Sequence, residues 1–262
     1  NIEALPAQAF SAFTEDHITN LQAETFESFN NQDVSNLQPE ALSALDSSML
    51  AAMEPDVMSG FSEHQIEHLS ADILGELDAD HFNNFDADAI GALTAEQVSA
   101  LPASIFTEEY VGDYAIQQLA NLSVDAVGGL TAEQIAHYPP EAVSNGFTPE
   151  FIEAIDADVI GALTADQVGN IGSIAWREID ADTLGAISPD SMTQFTDLGS
   201  VGEEAFSGLT ADHISALPGQ AFQDLSHYQI SNLDPSVMSA FTADNIEALP
   251  AQAFSAFTED HI

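Results

Sequence analysis

The chain repeats itself every eight residues, and that period admits few folds. From Pro6 it divides into blocks such as PAQAFSAF, TEDHITNL, QAETFESF, NNQDVSNL and QPEALSAL, variations on an ideal T-A-E-Q-I-S-A-L. Between Pro6 and Leu249 there are 29 octads and 12 extra residues: Tyr110, Val111, 120–122, Phe147 and 196–201. Position five is apolar in all 29 octads and position eight in 27. The two exceptions, Glu109 and Gly146, are followed at once by Tyr110 and Phe147, which are expected to fill the same slot.

Apolar spacings of three and then five are odd, so a flat strand would send them to opposite faces. One long helix fails as well. At about 100° per residue an octad overshoots two turns by roughly 80°, and the apolar stripe would wind around the cylinder. Proline decides for many short helices. All 11 prolines stand at position one (Pro6, Pro102, Pro139, Pro218, Pro250) or position two (Pro39, Pro55, Pro140, Pro149, Pro189, Pro235), where a helix starts and tolerates a missing amide donor.

The polar positions agree. Position one is Ser, Thr, Asp or Asn in 19 octads, the residues whose side chains accept from first-turn amides. Position three is acidic in 19, opposite the positive end of the helix dipole. Gln, His or Asp at position four approaches a capping box. Each octad is therefore expected to be a helix of about two turns, too short to persist alone. A small residue at position seven, such as Ala44, Ala92, Ala162 or Ala216, would let a neighbour approach.

Stacking such helices side by side would make a continuous core. The expected fold is an all-α solenoid or superhelix, with residues 1–262 as one repeat array. Pro102, Pro139, Pro218 and Pro250 open octads that follow those led by Thr94, Thr131, Thr210 and Thr242, which suggests a 16-residue helix-turn-helix unit. An ordinary globule would need caps, prolines and apolar pairs to share a period by accident. A β-solenoid is disfavoured by the helix caps and the abundance of Ala and Glu.

The last 18 residues, 245–262, repeat residues 1–18 letter for letter. Duplication of a whole 244-residue block accounts for this, and the absence of a starting Met suggests a piece of a longer or processed product. Both termini read as ordinary octads rather than as capping repeats. Head-to-tail continuation, covalent or between copies of the chain, would cover the core at each end.

Charge narrows the partners. Forty-four acidic residues face one cation, Arg177, for a formal net charge of −43. Nucleic-acid binding needs clustered Lys and Arg, and an anionic membrane surface would repel the chain. No apolar run approaches the ~18 residues of a membrane span. There is no cysteine, so thiols say nothing of redox compartment.

Several motifs invite chemistry. His64-Gln65-Ile66-Glu67-His68 fits the H-x-x-E-H pattern of one class of zinc peptidases, but Ile66 and Leu69 hold the usual core slots and no third ligand stands out. His17, His81 and His213, at position four, read as solvated or capping groups. The D-A-D openings Asp78/Asp80, Asp86/Asp88, Asp156/Asp158 and Asp180/Asp182 could supply oxygens to Ca²⁺ from neighbouring repeats. The plainer reading is that the first Asp caps and the second answers the dipole. Asn121-Leu122-Ser123 is the sole N-x-S/T sequon, a candidate glycosylation site at Asn121. The extra residues 196–201 are expected to form a surface loop. A flat Thr array of the ice-binding kind is interrupted at position one by Asp, Ser, Pro, Gln and Gly. No catalytic constellation or cofactor site stands out, and an enzyme is not expected.

The phrases ALTAEQVSALP, GLTAEQIAHYPPEAV and GLTADHISALPGQAF resemble the L-T-x-[ED]-Q-[IV]-x-A-L tandem repeats of very large, acidic, secreted or cell-surface proteins. The resemblance is one of repeat style over essentially the whole chain. It implies an extracellular structural or adhesin-like role and transfers no catalytic residue. The function expected is a building block of an extracellular filament, fibre or stalk, with the repeat segment of a calcium-dependent surface adhesin as the alternative.

Overall fold

The structure is a computed structural model that describes residues 2–106 and 121–257. Tyr110, Val111 and Ala120 lie outside the described residues. The described chain is all-helical, without strands. Its internal contacts gather into two compact units, 1–137 and 138–262.

The octad sets the helices, which are shorter than the two turns expected from sequence. They span three to seven residues, and many are 3₁₀ rather than α, including Pro55–Gly60, Pro189–Gln194 and Pro235–Ala240. The block edges explain the length. Position one is extended, as at Thr94 (φ −83°, ψ 161°), and position eight is commonly extended again, as at Leu101 (ψ 137°). Helical geometry is left to the residues between, and an amide that bonds three residues back closes many of these short turns.

Capping follows the octad as well. In the helices Ala95–Ala100, Ala165–Asn170 and Ala211–Ala216 the leading Thr hydroxyl accepts from the position-four amide, while the position-four side chain accepts from the Thr amide. Two first-turn donors are satisfied reciprocally.

Helices that pack together are not sequence neighbours. The substantial helix–helix contacts join blocks three apart, with 196–201 counted as a block. In the first unit Asn31–Ser35 packs on Pro55–Gly60, and Ala71–Leu74 on Ala95–Ala100. In the second, Ala165–Asn170 packs on Pro189–Gln194, and Ala181–Ala186 on Glu203–Gly208. The pairing of adjacent Thr-led and Pro-led octads expected from sequence is thus replaced by contact at a distance of about 24 residues. The small position-seven residue does let a neighbour approach: a Cβ on Gly60 would run into the Asn31 carbonyl, and one on Gly208 into that of Ala181, three blocks back in each case.

This register decides what is buried. Among described blocks, the position-five side chain is buried from Phe10 through Ile230 and loses burial only at Met238, Ile246 and Phe254, the last three blocks. Position eight behaves inversely at the other end: Leu5, Phe13 and Leu21 are not buried, whereas every described block from Phe29 to Leu233 that carries an apolar side chain at position eight buries it. Position five is therefore covered by the block three ahead, and position eight by the block three behind. Phe241 and Phe257 are also half-buried.

Two irregular blocks keep the register. Phe147 is buried beside Gly146 and stacks on Tyr138 and Phe151, with centroids 5.8 and 4.6 Å apart. The segment 196–201 is not the surface loop expected from sequence. Leu198 and Val201 are buried, the turn Leu198–Ser200 is 3₁₀, and it packs on the helix Ser173–Glu178. Deleting two residues leaves the spacing of three between its core side chains intact.

Candidate functional site

Among the described residues, the buried polar side chains form an organised feature. The ten among the described residues, Asp33, Gln65, His81, Gln97, Gln134, Gln167, Ser191, His213, Gln229 and Asn245, all stand at position four. Gln97 shows why. Its Oε1 accepts from the Thr94 amide at 2.9 Å, and its Nε2 donates to the carbonyls of Ile66 and Leu69 at 2.7 and 2.8 Å. One amide group closes its own cap and ties it to the end of the block four earlier, using both of its donors.

The arrangement recurs. Gln65 Nε2 donates to Val34 and Leu37, Gln134 Nε2 to Val98 and Leu101, and Gln229 Nε2 to Leu198, Gly199 and Val201. The block that supplies acceptors to one glutamine carries the next, so Gln65, Gln97 and Gln134 link four blocks in series. Gln167 extends the pattern in the second unit, donating to the Tyr138 carbonyl at 2.6 Å. Shorter or stiffer side chains also reach: Asn245 to Leu217 at 3.4 Å and Ser191 to Leu163 at 2.5 Å.

Two histidines belong to this ladder: of the two readings, solvated or capping, the burial of His81 and His213 rules out the first, and the capping box of His213 bears out the second. His213 Nδ1 accepts from the Thr210 amide at 3.0 Å, and Nε2 lies 2.7 Å from the Ile187 carbonyl. A neutral ring protonated on Nε2 satisfies both. His81 Nε2 lies 3.0 Å from the Met53 carbonyl, with Nδ1 2.7 Å from Asp78. His17 has the same Thr-led capping box but no block four earlier, and it is exposed. Sequence reasoning saw the cap in these residues and missed the second bond, whose partner lies 26 to 36 residues away.

The paired aspartates are all exposed. Asp78 and Asp180 accept from the His81 and Thr183 amides at 2.9 and 2.7 Å, as N-caps should. Partial burial raises the Asp78 pKa, but the amide and imidazole of His81 outweigh it and hold the carboxyl below the usual range. For Asp180 the Thr183 amide is the leading cause of a lowered value. Asp86 and Asp156 cap positionally, without a side-chain bond. Asp80, Asp88, Asp158 and Asp182 lie in first turns, where negative charge answers the dipole. Among the described residues no three Asp, Glu, His or Cys side chains are grouped to hold a metal ion.

His64 and His68 are exposed, and His68 Nδ1 lies 2.8 Å from the His64 carbonyl, within their own helical turn. Asn121 is half-buried in a turn, with Leu122 buried and the Ser123 hydroxyl accepting from the Ala126 amide. No helix among the described residues is long and apolar enough to cross a membrane. No protein-family model matches this chain, and no curated protein matches it significantly.

Proposed function

We propose that the chain is a structural repeat protein, a segment of an extracellular or cell-surface filament, fibre or stalk. Each unit is a stretch of solenoid with three blocks per turn, continued end to end by further copies of the same material. The observation that carries this reading is the uniform register: in each unit, helix after helix packs on the block three away.

The acidic side chains fit such a role because the octad keeps them outside, with Asp33 at position four the buried exception among the described residues. Many carboxylates cap helices or lie in their first turns, and a net charge of −43 keeps neighbouring stacks apart in water. The glutamine ladder supplies what a load-bearing stack needs, polar ties between successive turns. Copies of the chain are the partner in this reading, with no nucleic acid and no membrane insertion. Electron micrographs of the purified protein test it. Slender particles or fibres of one width are expected, and rounded compact particles would overturn it.

A further inference from the structure

Of the ten buried polar side chains at position four, His81 alone follows a charged residue at position one. The other nine follow Ser, Thr or Asn, as His213 follows Thr210; His81 follows Asp78. That single difference changes what the ring has to be.

The nitrogens of His213 face unlike partners. Nδ1 meets the Thr210 amide and hydroxyl, each at 3.0 Å, and Nε2 meets the Ile187 carbonyl at 2.7 Å. A neutral ring accepts at the first and donates at the second. Both nitrogens of His81 instead face acceptors, the Asp78 carboxylate at 2.7 Å from Nδ1 and the Met53 carbonyl at 3.0 Å from Nε2. A neutral imidazole has one N–H, so it would turn a lone pair on an oxygen at a site only 8% exposed. An imidazolium donates at both.

The surrounding charges do not distinguish the two rings. The helix Ala79–Phe82 packs on Pro55–Gly60 and Ala103–Phe106, and the small cavity lined by His81 takes in Ile73 and Glu76. Among the described residues these elements and the Met53 block bring Asp46, Glu54, Asp56, Asp72, Glu76 and Asp80, all exposed carboxylates, and no cation. The helix Ala211–Ala216 packs on Pro189–Gln194 and Pro235–Ala240. With the Ile187 block they bring Asp182, Asp190, Asp212 and Asp234, also exposed. Both histidines lie in a negative field that favours a proton. Only the residue at position one sets them apart.

We propose that these histidines are opposed proton switches: His81 is a buried imidazolium tie that alkali releases, and His213 is a neutral tie that acid releases. Removing a proton from His81 sets a lone pair against Asp78 or Met53. Adding one to His213 turns Nδ1 into a donor against the Thr210 amide, which cannot rotate away. Imidazoles change charge between about pH 5 and 8. The unit 1–137 therefore holds its tie best at the acid end of that range, and the unit 138–262 at the alkaline end. The device needs no second copy of the chain.

Nuclear magnetic resonance of the whole chain with ¹⁵N-labelled histidine tests the charge states. At pH 7, His81 should carry N–H on both nitrogens and His213 on Nε2 alone. Asp78→Thr gives His81 the cap that His213 has and should convert it to the neutral Nε2–H form; Asp78→Asn, which keeps the size of the cap, should do the same. A neutral His81 in the wild-type chain, or an imidazolium that persists in both variants, would overturn the proposal. Hydrogen exchange, corrected for its intrinsic pH dependence, reads the consequence. Between pH 8 and pH 5.5 the protection of Ala79–Phe82 should rise and that of Ala211–Ala216 fall, each about threefold or more. Changes of one sign in both helices, or no change in either, would overturn it as well.

Discussion

Gln97 Nε2 donates to the carbonyls of both Ile66 and Leu69, at 2.7 and 2.8 Å, across a gap of 31 and 28 residues. The side chain is 3% exposed, so water cannot replace what it gives. Gln97→Ala removes two donors and an acceptor for the Thr94 amide, and should cost about 2–4 kcal/mol of unfolding free energy. Gln97→Glu keeps the acceptor but turns a carboxylate oxygen toward two carbonyls. It should cost more at pH 7 and recover in part on acidification, as the carboxyl gains a proton to donate. Urea denaturation at both pH values checks the order, and equal stability of the two variants at pH 7 would contradict the bonding scheme.

His17 and His213 separate the cap from the tie. Both close a Thr-led capping box, but only His213 reaches a carbonyl of another block. His213→Ala should cost about 2–3 kcal/mol, because a buried acceptor and a first-turn amide lose their partner. His17→Ala, at an exposed position, should stay within about 0.5–1 kcal/mol. Similar losses in thermal denaturation would mean that the cap alone matters.

How far the sequence discloses this fold can be judged from these residues. Apolar slots, prolines and caps announce themselves within eight letters because their physics is local. The second bond of Gln97 does not. Glutamine at position four is already accounted for by the capping box, and nothing in the octad reveals that its Nε2 points to a carbonyl about four blocks back. Packing between blocks three apart is hidden for a similar reason: every block shares one pattern, so the pattern cannot say which block meets which. Residues 196–201 misled because the count of eight was broken, although the spacing of Leu198 and Val201, which packing reads, was kept. Of the candidate site residues, the aspartates were legible as caps and first-turn charges, while the buried role of His81 and His213 was not.

Gly208 measures the closeness of blocks three apart. A Cβ there would overlap the Ala181 carbonyl, which is backbone and cannot swing aside. Gly208→Ala should destabilise by about 1–3 kcal/mol. Gly169→Ala is the control: it lies in the helix Ala165–Asn170, and its added Cβ would meet the Gln194 side chain and carbonyl only at ordinary contact, 3.6 Å. That change should be neutral or stabilising by up to about 1 kcal/mol through helix propensity. Opposite signs in calorimetry are the expected result.

Asp180 gives the stack an acid-sensitive cap. Its carboxyl is held below the usual range chiefly by the Thr183 amide. A depressed folded-state value means stability that is present above the unfolded pKa, near pH 4, and lost as pH falls through the folded one. Asp180→Asn keeps a neutral cap, so it should match wild type at pH 7 to within about 0.5 kcal/mol and lose less below about pH 4. Relief of general charge repulsion affects both proteins alike and cancels in the comparison. Parallel melting curves across that range would show that the bond carries no such linkage.

Tyr138 is 2% exposed, and its hydroxyl finds no hydrogen-bond partner among the described residues. Burial pushes its pKa upward. Tyr138→Phe removes an unsatisfied group while keeping the stack on Phe147, and should be neutral or stabilising by up to about 1 kcal/mol. A loss of more than that would reveal a partner for the hydroxyl.

The central claim is that blocks pack three apart, and the absence of cysteine from the chain makes it directly measurable. Glu15 meets Ser43, and His227 meets Ser255, each pair at 3.2 Å and 28 residues apart. Cysteines placed at 15 and 43, or at 227 and 255, should be joined within one molecule by a short bis-maleimide, rapidly and in high yield as read by mass spectrometry. Pairs one block apart, such as 15 and 23, should react far more slowly. Rapid joining of adjacent-block pairs, with the 28-residue pairs left unlinked, would contradict the account.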